Sequence, residues 1–166
     1  MSASYFRTLI GYNRWAWGKV LDQVEKLSQE QYEAAQFNFG SVRSTLLHIS
    51  QTEANYLARQ TGSEAPARRS EETHPTVKDL RALWEQQFDD QQAFGATLTD
   101  EMVGQEFSWI APNGQPASGR RDLALAQLIN HSTQHRAESA MAITEFGHSP
   151  GDLDVFLYVR EHGASQ

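Results

Sequence analysis

Arg120-Arg121-Asp122-Leu123-Ala124-Leu125-Ala126-Gln127-Leu128-Ile129-Asn130-His131-Ser132-Thr133-Gln134-His135-Arg136-Ala137-Glu138-Ser139-Ala140-Met141-Ala142-Ile143-Thr144-Glu145-Phe146 is the longest uninterrupted helical pattern in the chain. Ala124, Leu128, Ala142 and Phe146 recur at helical spacing, and Gly147 with Pro150 stops the run. On that same side stand His131 and His135. Residues four apart on a helix are separated by only about 40° around the axis, so both imidazoles project from one face and can share one ion. Two imidazoles in an apolar face need partners. On spacing alone two readings stay open: metal ligation, and a pair of core histidines hydrogen-bonded to their neighbours.

The other segments read as further helices. Tyr5, Phe6, Leu9, Ile10, Tyr12, Ala16, Trp17, Val20, Leu21, Val24 and Leu27 follow the rhythm of an amphipathic first helix. Ser28 to Gln31 is a capping pattern that restarts a short turn before Phe37-Asn38-Phe39-Gly40 breaks it. Ser41 caps a second helix that runs to about Thr61 and ends at Gly62, with Leu46, Ile49, Ala54 and Leu57 among its buried positions. Ser63 to Pro75 is a solvated connection. Thr76 to Asp79 caps a third helix carrying Val77, Leu80, Trp84, Phe88, Phe94 and Leu98. Leu98 to Met102 echoes Leu27 to Gln31, a faint sign of internal duplication that capping chemistry alone could produce.

Phe107, Trp109 and Ile110 precede Pro112-Asn113-Gly114, and Asn-Gly favours the centre of a two-residue hairpin turn, so two short strands are expected there. A last short helix is expected to use Asp152 as cap and to bury Leu153, Phe156 and Leu157. Four long helices imply a four-helix bundle, in which cofactor sites are built from side chains on facing helices.

Composition narrows the chemistry. The 166 residues fit one compact domain. With no cysteine there is no disulfide, thiolate site or cysteine nucleophile, and metal chemistry must rest on His, Asp and Glu. A net charge of −7 repels phosphate backbones and anionic lipid, so neither nucleic acid nor a membrane is an expected partner. No run approaches a membrane span and Met1 to Leu9 lacks the marks of a signal peptide, which places the protein in the cytoplasm.

A third ligand for the pair is sought among the other histidines. His74, His148 and His162 read as solvated, in a loop, past a helix stop and in the tail. His48 is the leading candidate, although an ideal wheel puts it far from the centre of its helix's apolar face, beside Thr45, Thr52 and Tyr56. Glu53, within that face, and Glu138, three residues after His135, read as a fourth ligand or as acceptors for an imidazole N–H. For Glu53 an ion pair with an arginine such as Arg136 reads equally well. Asn13 interrupts the stripe of Phe6, Ile10, Trp17 and Leu21, as a pocket residue or, slightly favoured, as a satisfied core hydrogen bond. Ser132 after His131 excludes the H-E-x-x-H of metalloproteases, and the Glu plus Glu-x-x-His pattern of di-iron bundles is incomplete.

Taken in order, Tyr12-Asn13-Arg14-Trp15-Ala16-Trp17, Gly40-Ser41 leading to Leu46-Leu47-His48-Ile49, the Asn113-Gly114 hairpin, Asn130 to Arg136 and Gly147 through Asp154 to Tyr158 resemble the DNA-damage-inducible DinB/YfiT-like metal-binding bundles. The resemblance covers nearly the whole chain and departs from the family only at Ala137, where His-Arg-Gly is common. It implies a single domain over residues 1–166, an all-α, up-down-down-up type four-helix bundle with a short β-hairpin between helices three and four and a short C-terminal helix. It implies one divalent metal ion, zinc or nickel by preference, held by His48, His131 and His135 with positions left for water or a thiol. It points to a metal-dependent enzyme of the thiol-dependent S-transferase type, acting on a small molecule with a low-molecular-weight thiol. The alternative is a non-catalytic stress-response or sensor protein; no catalytic residue is assigned in either. A homodimer is expected, since such bundles pair through a helix face and Trp15, turned away from Trp17, leaves an aromatic to cover.

Overall fold

The structure is a computed structural model and describes residues 1–37, 40–111 and 113–163. The described residues are mostly helical. In chain order they form α1 (Ala3–Val24), α2 (Gln29–Glu33), β1 (Ala35–Phe37), β2 (Gly40–Ser41), α3 (Val42–Thr61), α4 (Val77–Thr97), α5 (Asp100–Gly104), β3 (Glu106–Ile110), β4 (Pro116–Arg120), α6 (Arg121–Glu145) and α7 (Val155–His162). One succession thus occurs twice: a long helix, a short one, a two-stranded antiparallel ladder, a long helix. The echo between Leu27–Gln31 and Leu98–Met102 marks the same joint in each half. Ser28 and Thr99 both cap a short helix, but only Ser28 completes a reciprocal box, with Gln31, because Met102 has nothing to return.

Capping chemistry sets the long helices as well. Ser41 with Ser44, and Thr76 with Asp79, close capping boxes, and Gly62 ends α3 at φ +71°, a left-handed conformation that favours glycine. Helix α6 ends where His148 N–H bonds Ile143 O and Gly147 N–H bonds Thr144 O.

Three expectations need correction. The helix start after Pro150 is capped by Asp154, whose side chain accepts from Phe156 N–H, while Asp152 accepts from Asp154 N–H and so shapes the turn before it. Phe156 is 80% exposed and α7 has no buried residue, because this helix lies on α1 by one face only. The hairpin turn is not a two-residue Asn-Gly turn either. Ala111 N–H reaches Gln115 O, Gly114 N–H reaches Ala111 O, and only Gly114 is left-handed; Asn113 instead accepts from Gln115 N–H. Pro112, like the Asn38-Phe39 part of the expected break, lies outside the described residues. The β1–β2 ladder that flanks that break is too short for any periodicity to announce.

The long helices pack α1 on α4 and α6, and α3 on α4 and α6. Arg7 bonds Leu98 O at one end of α1 and Arg81 pairs with Asp22 at the other, so α1 and α4 run in opposite directions. Two apolar clusters fill the interior. One gathers Trp17, Val20, Leu21 and Val24 with Leu46, Ile49, Leu80, Trp84, Phe88 and Ile143; the other gathers Ala3, Phe6 and Ile10 with Phe94, Leu98 and Leu125. Between them, by position along all four helices, lies a buried polar layer of Asn13, Glu53, Gln87, Gln91, Ser132 and Arg136.

Candidate metal centre

Helices α3 and α6 run antiparallel, as Arg121 bonding Gln60 near one end and His48 meeting His135 farther along require. Position 48 lies on the flank of α3, whose deepest residues are Leu46, Ile49, Ser50 and Glu53, each 0% exposed. That flank faces the groove against α6, where His131 and His135 project together. Ring centroids are 6.2 Å apart for His48 and His131, 5.3 Å for His48 and His135, and 4.5 Å for His131 and His135. One nitrogen from each ring lies within 4.8 Å of the others. The wheel position of His48 is therefore a groove position, not a core one.

Electrostatics favour the neutral form of His48 and His131. Burial pushes the His48 imidazole below its ordinary value, a charge on His135 pushes it the same way, and Glu138 opposes weakly. His131 is lowered by burial first, then by His135 and His48, against Glu138. A neutral ring keeps a lone pair for a Lewis acid. Glu138 Oε2 lies 2.6 Å from His135 Nδ1. A carboxylate there accepts a hydrogen bond from Nδ1–H, fixes the tautomer and leaves the Nε2 lone pair free for an ion. His131 Nδ1 is buried and has no hydrogen-bond partner among the described residues. Three imidazoles with no carboxylate among them, and a buried His131 Nδ1 without a partner beside them, fit a single divalent ion of the kind imidazole binds.

The structure keeps the carboxylate Glu53 out of this cluster and also away from a direct pair with Arg136. Glu53 accepts from Gln91 at 2.7 Å, from Gln87 at 3.1 Å and from Asn13 at 3.4 Å, all in the interior. Asn13 is the satisfied core hydrogen bond: its Oδ1 accepts from Ser132 at 2.6 Å and from Arg136 at 2.7 Å, while its amide points to Glu53. Trp17 donates to Ser132, and Arg136 donates to the Tyr12 hydroxyl, which donates to Leu153 O. Glu53 and Arg136 are thus linked through one amide. Residue-by-residue reading of the sequence missed this layer, although polar residues at 3.6-spaced core positions of every long helix were its signal.

His74, His148 and His162 stand outside the cluster. His162 is exposed, as expected, whereas His74 and His148 are half-buried, His74 against the Thr73 hydroxyl. Trp15 is covered by the chain's own α7, through Tyr158 at 5.8 Å and His162 at 6.4 Å, with Lys19 over its ring. The aromatic that suggested a dimer face has its cover within the chain. Among the described residues no helix is long and apolar enough to cross a membrane.

A mostly helical chain in which α3 and α6 bring three imidazoles together has a site that could hold a metal ion. It belongs to the DinB family: the model of that family matches residues 1–164, the whole length but two residues. No curated protein matches the chain.

Proposed function

We propose that the protein holds one divalent ion, zinc or nickel, on His48, His131 and His135, and uses it to activate a small nucleophile in a thiol-dependent transfer. The fold carrying the site is read as an up-down-down-up four-helix bundle, with Leu125 and Ile143 at opposite ends of α6 joining the clusters formed by the matching ends of α1. The observation that carries the proposal is the buried, unpartnered Nδ1 of His131 inside a cluster of three imidazoles. A buried polar atom without a partner costs about 1–3 kcal/mol, so such a group in a native fold calls for a ligand.

An ion bound there would supply Lewis acidity, which lowers the pKa of a thiol or water and makes a nucleophile near neutral pH. The chain's own residues do the rest. Three uncharged imidazoles leave the site's charge to the ion and its ligand. Glu138 holds the proton on His135 Nδ1 and, half-buried, is the nearest carboxylate for moving a proton to solvent. Elemental analysis of tag-free protein tests the proposal: about one divalent ion per chain is expected, lost in His131→Ala with the fold retained. Unchanged metal in that variant rejects the site. Holoprotein that turns over none of several biological thiols with an electrophile panel is instead a metal-binding protein without catalysis.

A further inference from the structure

Between α3, α6 and the β3–β4 hairpin lies a cavity of about 310 Å³. Its walls are Tyr56 and Arg59 from α3, Leu123 and Gln127 from α6, and Phe107 with Trp109 from β3. Phe107 and Trp109 stack at 4.9 Å and 28°, presenting flat apolar surface, and Leu123 is 61% exposed beside them. Arg59 is half-buried, and its guanidinium lies 5.4 Å over the Tyr56 ring. Among the described residues no carboxylate pairs with it. The neighbouring arginines are committed: Arg120 to Asp122, and Arg121 to Gln60 and the Phe107 ring. The cavity is lined by two arginines, of which Arg120 is paired with Asp122 and stands opposite Glu106 in the ladder, so Arg59 is the lining cation without an acidic partner among the described residues.

Two of the cavity's walls stand on the helices that carry the histidines. Gln127 is four residues before His131, about 6 Å along α6, and Tyr56 eight residues after His48, about 12 Å along α3. We propose that this cavity is the substrate subsite, that it takes a carboxylate-bearing molecule with a flat apolar body, and that Arg59 anchors the carboxylate while the other end reaches the histidines. What happens at that far end rests on the metal-site reading; the recognition stands on the cavity itself. One guanidinium without an acidic partner matches one unit of negative charge, and arginine binds a carboxylate by two parallel hydrogen bonds. Tyr56, Phe107 and Trp109 supply the apolar contact for the body.

The probes are trans-cinnamate and its neutral isostere cinnamamide, titrated into metal-loaded protein by calorimetry and by the fluorescence of Trp109, assigned with Trp109→Phe. Cinnamate is expected to bind at least about tenfold more tightly than the amide, the scale of one charge-assisted hydrogen bond. Arg59→Gln is expected to bring the two affinities together with metal content unchanged. Arg59→Lys keeps part of the preference, which a general folding defect does not do. Equal affinities in the native protein, no binding of either probe, or a preference that survives Arg59→Gln overturns the proposal. His131→Ala separates the two readings: a variant that has the cinnamate preference with or without metal supports the subsite whatever becomes of the ion.

Discussion

Helix α6 carries two polar clusters side by side. Ser132 and Arg136 turn into the core, and His131 and His135 turn to the groove against α3. In the first, Trp17, Ser132, Asn13, Arg136, Tyr12 and Glu53 pass hydrogen bonds from one to the next, and opposite charges are balanced through an amide. In the second, three basic nitrogens face one another with a single carboxylate behind them, and His131 Nδ1 meets nothing. A network closed on itself holds the fold in one arrangement; a set of like donors left facing one another could hold an ion between them. The two clusters share a helix and nearly share residues, so substitution can tell them apart.

The largest effect is expected from Asn13→Leu. It takes the Asn13 acceptor from Arg136 and from Ser132, deprives Glu53 of one of its donors and breaks the amide bridge between the two buried charges, for a loss of about 3–5 kcal/mol in urea unfolding. Metal stoichiometry of the folded fraction should not change. If ion and stability fall together, the clusters are not separable and the comparison fails.

His131→Ala should behave in the opposite way. Removing a ligand must cost more than the roughly 10–100-fold lost with a supporting acceptor, so metal affinity is expected to fall by more than about 100-fold. Stability of the metal-free protein should move by only about 1 kcal/mol, because the ring is half-buried and makes no hydrogen bond through Nδ1. What disappears is the ligand's contribution to native stability, about 2.7 kcal/mol at a metal concentration 100 times Kd. Thermal melts with and without added zinc read both numbers.

Glu138→Ala tests how far the groove cluster depends on its own supporting acid. Without the carboxylate at 2.6 Å the His135 tautomer is no longer fixed, and about 10–100-fold weaker metal binding is expected, with all three histidines still in place. Affinity equal to that of the native protein would assign the Glu138 contact to a surface ion pair and nothing more.

The legibility of the two clusters differs for a physical reason. The helices could be read because each is bounded by local chemistry: Ser41 and Gly62 enclose α3, and Thr76 opens α4 with Asp79. His131 and His135 could be read because a four-residue spacing fixes a shared face. His48 could not be derived that way. Its place depends on the angle at which α3 lies on α6, which no single helix encodes; setting aside the other histidines made it the leading candidate, and the resemblance to a family carried it over as a ligand against its wheel position. The polar layer was harder still. Asn13 and Glu53 looked anomalous one at a time, but their meaning is that Gln87, Gln91, Ser132 and Arg136 sit at the same level, and level is set by registration between helices. The Asp152 cap failed for a local reason, since two aspartates two residues apart compete for the same turn and the second wins the helix.

The smallest effect concerns acid, and its sign follows from burial. His48 and His131 both have native values below the ordinary value of about 6.5 that the unfolded chain shows. As pH falls through 6.5 the unfolded chain takes up protons that the native rings refuse, so the metal-free protein loses stability from there down to the native values, and no further below them. Above 6.5 this contribution is fully present. His48→Gln removes one of the two groups and should flatten the slope of unfolding free energy between pH 7.5 and 5.5, while Asn13→Leu should lower the whole curve and leave its slope alone. Because Glu138 opposes the depression at both rings, Glu138→Ala should steepen the same slope. Parallel curves for native protein and His48→Gln would show that the groove rings are as free to take a proton folded as unfolded, and the contrast between an incomplete cluster and a closed one would lose its electrostatic half.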